Sequence, residues 1–247
     1  DALLMVDPYY NGPSSLEIRR EYYEVIAKAC PDVSIIPYII PGRTGSQMLP
    51  QDLAILAKNF PNISCVKEAT GNLENMKLTR KYCGNDFKIF SGDDALIYDI
   101  MVDPEIKACG SISVMSNIIP TFMVQMVSLL NQGEAEGAMK IQTAIKPLLD
   151  LVVVTTQEES EFGPVYCRAR NPLPLKTLMQ LLGMPGGPCR RPLGKMAQKG
   201  FQVLLDVAKS VQANTPEIFE PIASFFNVDI EKQLNDDTLH KGLWYTY

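Results

Sequence analysis

The ten residues at positions 63–72, Ile-Ser-Cys-Val-Lys-Glu-Ala-Thr-Gly-Asn, indicate the fold class of this chain. An apolar, β-prone run closes on Lys67 and is followed by a turn-prone Thr-Gly-Asn, a pattern that predicts a buried strand, a loop and a helix. A lysine at such a strand end is partly desolvated, which lowers its pKa and frees a neutral amine to attack a carbonyl. The alternative is a lysine whose ammonium simply reaches solvent.

Composition narrows the classes of function that the chain can serve. Its 247 residues are 46% hydrophobic and 21% charged, as expected for a soluble globular protein with a substantial core. A net charge of −5 without a basic stripe argues against nucleic-acid and membrane partners, and no apolar run is long enough to span a bilayer. Six scattered cysteines with a single histidine predict no metal site and a reducing, cytoplasmic environment.

Strand and helix patterns alternate through the first half of the sequence. Five short apolar runs predict strands at residues 2–6, 34–40, 63–66, 88–90 and 110–114. Helical spacing predicts helices at 16–30, with Ser14 or Ser15 as N-cap, and at 49–60, 73–83 and 95–101. Strands that are apolar throughout and alternate with helices predict a parallel sheet covered by helices.

Two α/β architectures fit this alternation, a doubly wound open sheet and a (β/α)8 TIM barrel. No Gly-x-Gly-x-x-Gly follows the first strand, which weakens the dinucleotide-binding form of the open sheet. Residues 119–130, 135–154, 175–182 and 193–211 are predicted to be helical, with no strand between them. Five strands cannot close an eight-stranded barrel, so the barrel requires three further units. We expect them upstream, because the chain starts at Asp1 directly on a strand-like run.

Candidates for chemistry follow the predicted strands, where parallel α/β folds place their sites. Tyr38, near Lys67, has a hydroxyl that can both donate and accept a proton. Arg43, on a glycine-flanked loop, can bind a carboxylate through two parallel hydrogen bonds. Each has a structural alternative: Tyr38 as a core residue, Arg43 in a surface ion pair, and Asp93-Asp94 as the N-cap of the next helix. For the two acids the capping role is favoured.

Several motifs together resemble the dihydrodipicolinate synthase family of pyruvate-dependent class I aldolases. They match in order and nearly in spacing over residues 1–211, whereas residues 212–247 have no counterpart. The motifs are Pro-Tyr-Tyr-Asn at 8–11, Tyr38 with Pro-Gly-Arg-Thr-Gly at 41–45, Val-Lys-Glu-Ala-Thr-Gly-Asn at 66–72, Ser-Gly-Asp-Asp at 91–94, Gly-Ser-Ile-Ser-Val at 110–114 with Asn117, Asn-Pro-Leu-Pro-Leu-Lys at 171–176, and Arg-Pro-Leu at 191–193.

The resemblance implies a TIM barrel, of which the chain carries about strands 4 to 8 in residues 1–133. A C-terminal helical domain would occupy residues 134–211, followed by a tail of unknown role at 212–247. It implies that Lys67 forms an imine with pyruvate and that Tyr38 relays protons. It also implies a homotetramer in which Tyr10 extends across a dimer interface into the active site of the neighbouring subunit.

The resemblance further implies that Arg43 binds the carboxylate of aspartate semialdehyde and that Ile112 and Gly92 lie at the bound substrate. No metal or cofactor is required, because the protonated imine is itself the electron sink. One departure within the motifs is Ile39, where the family usually has asparagine. Another is the absence of the family's Gly-Thr-Thr-Gly-Glu stretch, which supplies a relay threonine and is expected upstream of residue 1.

Three functions fit these residues. The first is the synthase reaction, which condenses pyruvate with aspartate semialdehyde in lysine biosynthesis. The second is a sister aldolase, such as N-acetylneuraminate lyase or a keto-deoxy-sugar aldolase; Arg43 favours the first because a sugar offers mainly hydroxyls. The third is a truncated or non-catalytic paralogue. From the two open sheet edges of a five-stranded piece we expect the 247 residues alone to be poorly soluble and inactive.

Overall fold

The structure, a computed structural model, describes residues 2–247 and consists of two compact units. The first runs to Ser113 and includes Val127–Ala138, and the second comprises Val114–Met126 and Met139–Tyr247. The three regions predicted from the sequence differ from these units, because residues 212–247 fold inside the second unit. Asp1, where the first predicted region begins, lies outside the described residues.

The first unit is built on a five-stranded parallel sheet whose spatial order follows the sequence, β1-β2-β3-β4-β5. Its strands are β1 (Ala2–Val6), β2 (Ser34–Ile39), β3 (Cys65–Glu68), β4 (Lys88–Ser91) and β5 (Gly110–Ser111). The prediction for β1 is confirmed to the residue. β3 begins and ends two residues later than predicted, which places Lys67 inside the strand, and β5 is shorter because only two residues pair with β4.

Helices connect the strands. Their bounds are α1 (Ser15–Glu17), α2 (Glu24–Ala29), α3 (Pro41–Thr44), α4 (Pro50–Asn59), α5 (Leu73–Cys83) and α6 (Ile97–Val102), with a π-helical stretch, Ile18–Tyr23, joining α1 to α2. Ser14 is the N-cap of α1: its hydroxyl accepts the Glu17 N–H, and the Glu17 carboxylate accepts the Ser14 N–H in a capping box. The predicted N-cap is therefore confirmed.

The two faces of the sheet differ in burial. One is covered by helices and carries Ile35, Ile39, Val66 and Ile89, each at most 1% exposed. These side chains alternate along the strands with those of the opposite face, because successive residues of a strand point to opposite sides. Tyr38, Lys67 and Phe90 stand in register with one another on that opposite face.

The second unit is mainly helical. Its elements include α9 (Leu173–Leu181), α10 (Gln198–Asn214), α11 (Glu220–Phe226), α12 (Ile230–Asn235) and α13 (Asp237–His240), while α7 (Pro120–Asn131) and α8 (Ala135–Leu149) contribute residues to both units. The core side chains of α10, Phe201, Leu204, Ala208 and Val211, are at most 4% exposed. No helix in the described part of the chain has both the length and the apolar character needed to cross a membrane.

An antiparallel hairpin interrupts the helices where the sequence predicted none. It consists of β6 (Val153–Ser160) and β7 (Gly163–Arg170), paired from Val153↔Arg170 to Ser160↔Gly163. The prediction of a helix over 135–154 with no following strand was therefore wrong. The α-helix ends at Leu149 and a 3-10 turn, Asp150–Val152, follows. The valines and threonines at 152–156 are β-branched and favour extended backbone. Glu158 of the hairpin accepts the Lys199 N–H at the start of α10, 3.1 Å away.

The last residues of the chain pack within the second unit. β9 (Trp244–Tyr245) pairs in parallel with β8 (Met196–Ala197), and the Trp244 ring stacks on Phe201 with the centroids 4.7 Å apart. His240, 2% exposed, has its Nε2 at 2.7 Å from the Gln233 carbonyl oxygen. Residues 212–247 thus contribute to the core of the second unit instead of trailing from it.

Candidate active site

Lys67 lies buried near the carboxyl end of β3. Its side chain is 6% exposed, and its Nζ is 4.0 Å from the centre of the Tyr38 ring on the neighbouring strand. Backbone register explains the contact, because Tyr38 and Lys67 are directly opposed in the β2–β3 ladder. The ring face attracts a cation, so this contact favours the ammonium form of the lysine.

Burial lowers the pKa of Lys67, and the negative charge of Asp94 acts in the opposite direction. Desolvation disfavours the ammonium because water no longer solvates the charge. At a given pH the neutral amine, which is the nucleophilic form, is therefore more populated than in a solvent-exposed lysine. The burial predicted from the sequence is confirmed, and the alternative in which the ammonium reaches solvent is wrong.

Tyr38 is half-buried, and three charged groups act on its hydroxyl. Burial raises the pKa of Tyr38; the positive charge of Arg43 lowers it, and the charges of Asp93 and Asp94 raise it. Like an exposed phenol, Tyr38 is protonated at neutral pH and can donate a proton, although its raised pKa makes it a weaker acid.

Arg43 lies on α3, a single helical turn, where the sequence predicted a loop. Its backbone N–H donates to the Ile40 carbonyl at 2.9 Å, and Gly45 ends the turn with a φ of 71°, a left-handed conformation that suits glycine. The Arg43 side chain is exposed. A guanidinium held near Tyr38 and open to solvent can receive a carboxylate that enters from outside.

Gly92 provides room for the Lys67 side chain. A Cβ at this position would lie 3.1 Å from Lys67 Cε and 2.7 Å from the Ala69 Cβ. The Gly92 N–H donates to the Glu68 carbonyl at 2.7 Å, so the backbone itself lies against β3. Gly92 is therefore next to the lysine, and its contribution in this structure is space.

The adjacent acids, Asp93 and Asp94, have separate roles. Asp93 is the N-cap of the short helix that follows, with its carboxylate accepting the Ala95 N–H at 3.0 Å. Asp94 is only 4% exposed and acts electrostatically on Lys67 and Tyr38. The capping prediction holds for Asp93 alone. A helix start needs only one capping side chain. The presence of a second acid could therefore have indicated that Asp94 has a different role.

The remaining predicted residues lie at two different places. The Ile112 N–H donates to the Ser91 carbonyl at 2.9 Å, which fixes Ile112 just past the carboxyl end of β5. Tyr10, in contrast, is 93% exposed and adopts a φ of 75°, rare for a residue other than glycine. The structure thus gathers Lys67, Tyr38 and Gly92, while Tyr10 stands on the surface.

Ile39, the departure from the family's asparagine, points away from Lys67. It is 1% exposed and belongs to the hydrophobic core between the sheet and its helices. An apolar side chain suits that environment, so this substitution leaves the face that carries Lys67 and Tyr38 unchanged.

Other features of the first unit lie away from Lys67. A groove of about 520 Å³ opens near the amino ends of β3 and β4, with Ile63, Ser64 and Phe87 among its lining residues. Parallel α/β folds place their active sites at the carboxyl ends of their strands. The region around Lys67, and not this groove, is therefore the candidate active site. Within residues 2–247, no cluster of three or more histidine, cysteine or acidic side chains has the arrangement of a metal site.

Comparisons with known proteins find similar sequences and similar structures. The model of the dihydrodipicolinate synthetase family matches residues 1–211. A 4-hydroxy-tetrahydrodipicolinate synthase from Cyanothece sp. is 35% identical over 193 residues, which are 78% of this chain and 59% of that protein.

Solved structures are similar as well. Dihydrodipicolinate synthase from Cyanidioschyzon merolae, with lysine bound, is 33% identical with a TM-score of 0.73, over 85% of this chain and 65% of that one. The chloride-inhibited synthase from Acinetobacter baumannii, complexed with pyruvate, is 28% identical with a TM-score of 0.72, over 85% and 66%.

The chain spans about three fifths of the length of the curated relatives that it matches. Its fold is of the TIM-barrel type, an α/β fold with a C-terminal helical domain, as in the solved structures that it resembles. Because the family model covers most of the chain and the motifs around Lys67 fall inside the match, the chain belongs to the dihydrodipicolinate synthetase family.

Proposed function

We propose that the protein is a Schiff-base-forming lyase that condenses pyruvate with L-aspartate 4-semialdehyde to 4-hydroxy-tetrahydrodipicolinate, in lysine (diaminopimelate) biosynthesis. The observation that carries this proposal is Lys67, buried, with a lowered pKa and its Nζ 4.0 Å from the Tyr38 ring centre. Membership of the family and relatives that are named for this reaction support it.

In the first step the neutral Nζ of Lys67 adds to the keto carbon of pyruvate. The resulting carbinolamine loses its hydroxyl as water, and a protonated imine remains. Tyr38, whose ring centre lies 4.0 Å from the Lys67 Nζ, would donate the proton that the departing hydroxyl needs. Its phenol is protonated at neutral pH, as this role requires, and the raised pKa favours its reprotonation after the transfer.

In the second step the protonated imine withdraws electrons from the former methyl group of pyruvate. Loss of a proton from that carbon gives an enamine, which forms the new carbon–carbon bond with the aldehyde carbon of the second substrate. The aldehyde double bond opens, its oxygen takes up a proton to become the 4-hydroxyl group, and the protonated imine re-forms. Arg43, exposed near Tyr38, would hold the carboxylate of this substrate. The amine of the semialdehyde then attacks the imine carbon, closing the ring and releasing Lys67.

Other assignments rest on the resemblance of the motifs. Ile112 and Gly92 would line the pyruvate end of the site, and Tyr10 would complete a neighbouring subunit's site in a homo-oligomer, a dimer of dimers. The five strands would correspond to strands 4 to 8 of the barrel. The strained φ of Tyr10 supports a specialised role, because such conformations are retained mainly where the side chain is needed. We place the protein in the cytoplasm.

The direct test is reduction with borohydride in the presence of pyruvate, followed by mass spectrometry of the peptides. The peptide that contains Lys67 should gain the mass of the reduced pyruvate adduct, and Lys67→Arg should remove the label. Lys88→Arg is the matched control, because Lys88 lies on the same face of the sheet but is exposed. Labelling at another lysine, or none, would refute the assignment of Lys67.

A second experiment tests the choice of second substrate. Arg43→Ala should raise KM for aspartate semialdehyde far more than KM for pyruvate, at a cost on the order of 2 to 4 kcal/mol of transition-state binding. A comparable rise in both KM values would show that Arg43 does not discriminate the semialdehyde. Turnover of N-acetylneuraminate that Arg43→Ala leaves unchanged would indicate a sister aldolase.

A further inference from the structure

Asp7, the residue that follows β1, is completely buried on the helix-covered face of the sheet. Its Oδ2 accepts the backbone N–H of Met48 at 2.9 Å, and its Oδ1 lies 2.9 Å from the hydroxyl of Tyr23. A buried carboxylate is costly unless donors satisfy it. Asp7 therefore has a structural role, and it takes no part in the catalytic steps proposed above.

The Met48 N–H belongs to the segment that carries Arg43. We call residues 41–48 the Arg43 loop. A second bond fastens the same loop to the same place, because the Ser46 hydroxyl donates to the carbonyl of Pro8. Inside the loop, the Thr44 hydroxyl donates to the Ser46 carbonyl at 2.8 Å.

Both ties attach the loop to residues 7 and 8, immediately before Tyr9 and Tyr10. Arg43 is itself on the exposed side of the loop, so its position depends on how the buried side is held. Met48 and Ser46 are both buried, at 0% and 6% exposure, which keeps water from replacing these bonds. Two hydrogen bonds thus fix the buried side of the loop, one from the Met48 N–H to the Asp7 carboxylate and one from the Ser46 hydroxyl to the Pro8 carbonyl.

We infer that Asp7 is a positioning residue that fastens the Arg43 loop to the end of β1 and so determines how well the second substrate's carboxylate is bound. The inference rests on the proposed function for its kinetic consequence, and on hydrogen bonds alone for the fastening itself. Pyruvate should be insensitive to Asp7, because Lys67 and Tyr38 are on the opposite face of the sheet.

Asp7→Ala tests the fastening, because it removes the acceptor of the Met48 N–H. We expect KM for aspartate semialdehyde to rise about tenfold, the size of effect that follows loss of one buried hydrogen-bond partner. KM for pyruvate should change less than about twofold, and borohydride labelling of Lys67 should persist. In hydrogen–deuterium exchange, peptides over residues 44–48 should exchange at least about tenfold faster.

Three variants accompany it. Asp7→Asn keeps a carbonyl that accepts the Met48 N–H, and should restore KM for the semialdehyde to within about threefold of the unmodified protein. Ser46→Ala removes the second tie, and decides the matter should Asp7→Ala fail to fold: KM for the semialdehyde alone should rise, by about two- to fivefold. Asp32→Asn, at an exposed acid before β2, is the control and should change nothing.

Equal changes in both KM values, or unchanged exchange over residues 44–48, would overturn the inference. Failure of the proposed function has a different signature. Pyruvate would then not label Lys67 in the unmodified protein, whereas faster exchange of the Arg43 loop in Asp7→Ala would still establish the fastening.

Discussion

The two faces of the parallel sheet bury ionisable groups for opposite purposes. Lys67 and Glu68 are neighbours on β3, and strand geometry sends their side chains to opposite sides. Burial disfavours the charged form of both, lowering the pKa of Lys67 and raising that of Glu68. Glu68 is held by the Thr70 N–H at 2.8 Å and by the Asn75 amide at 3.0 Å.

The helix-covered face thus uses its buried carboxylates, Asp7 and Glu68, to fix loops and helix starts. The opposite face places the Lys67 amine against an aromatic ring, with its Nζ 4.0 Å from the centre of the Tyr38 ring. The same desolvation therefore acts on structural carboxylates on one side and on the proposed nucleophile on the other. What distinguishes them is the kind of partner, because the Glu68 carboxylate accepts two hydrogen bonds whereas the Lys67 Nζ lies over the face of the Tyr38 ring.

The largest expected effect is at Lys67. Lys67→Met should abolish pyruvate labelling and lower turnover by at least about 10³-fold, because no amine remains to form the imine. It should also raise the melting temperature at pH 7. The native pKa of Lys67 lies below the unfolded value, so the unfolded state binds more protons between the two and stability rises with pH through that window. Below that pH window the buried ammonium of Lys67 destabilises the folded state, and methionine removes this destabilisation.

Melting temperatures measured from pH 7 to pH 10.5 check this prediction, since the advantage of the methionine variant should shrink toward high pH. Lys88→Met is the control: Lys88 is exposed on the same face, so neither activity nor its pH dependence should change. A Lys67→Met protein less stable than wild type at pH 7 would show that the amine contributes to the fold, and the contrast between the faces would fail.

Tyr38→Phe comes next in size. The ring beneath the Lys67 amine is kept while the hydroxyl is lost, so we expect imine formation to slow by about 10²-fold and stability to change by less than about 1 kcal/mol. Rapid-quench borohydride trapping measures the rate. Tyr82→Phe, at a tyrosine 44% exposed, should leave both quantities unchanged. An undiminished rate in Tyr38→Phe would assign proton transfer to another group.

Sequence patterns predicted the part of the site that lies along neighbouring strands. Lys67 ends an apolar run and Tyr38 lies near the end of one, and parallel strands bring such positions side by side. Asp7 also ends such a run, yet its role depends on Tyr23 and Met48, which are 16 and 41 residues away. Nothing local in the sequence specifies contacts of that range, so its burial could not be predicted.

The hairpin β6–β7 was missed for a different reason. Apolar residues at 151–154 fit the end of a helix and the start of a strand equally well, and periodicity over so short a run does not separate the two. The β-branched run that continues through Thr156 was the available signal. In the structure, burial of Val154 and Glu158 within the second unit accompanies the extended form.

The third prediction concerns the helix-covered face. Burial raises the pKa of Asp7 to about 6, although the bonds from Met48 and Tyr23 act to lower it. The Tyr23 hydroxyl has one proton but two acceptors nearby, the Met5 carbonyl at 2.8 Å and Asp7 at 2.9 Å. A protonated Asp7 resolves this conflict by donating to Tyr23. Two further ionisable groups, Tyr22 and Glu68, also interact with Asp7, and ionised Asp7 and Glu68 repel each other.

The sign of the pH dependence follows from the raised pKa. Between about pH 4 and 6 the native state binds more protons than the unfolded chain, so the stability contributed by Asp7 falls as pH rises. Asp7→Asn imitates the protonated form and should be more stable than wild type by on the order of 2 to 3 kcal/mol at pH 7.5, with no difference at pH 4. Urea unfolding at both pH values measures this. An equal difference at the two pH values would show that Asp7 does not titrate.

The smallest expected effect is at Gly92, whose backbone lies against β3 next to both Lys67 and Glu68. An added Cβ would lie 2.7 Å from Ala69 Cβ and 3.1 Å from both Lys67 Cε and the Glu68 carbonyl, so Gly92→Ala should cost about 1 to 2 kcal/mol of stability and slow imine formation about tenfold. Gly137→Ala, inside α8 with only an ordinary contact at 3.4 Å, is the control and should be neutral or stabilising. Adding Ala69→Gly removes the closest atom, and the double variant should recover most of the loss in a double-mutant cycle. Additive losses would instead place the strain in the Gly92 backbone, and the glycine would then serve β3 and not the lysine.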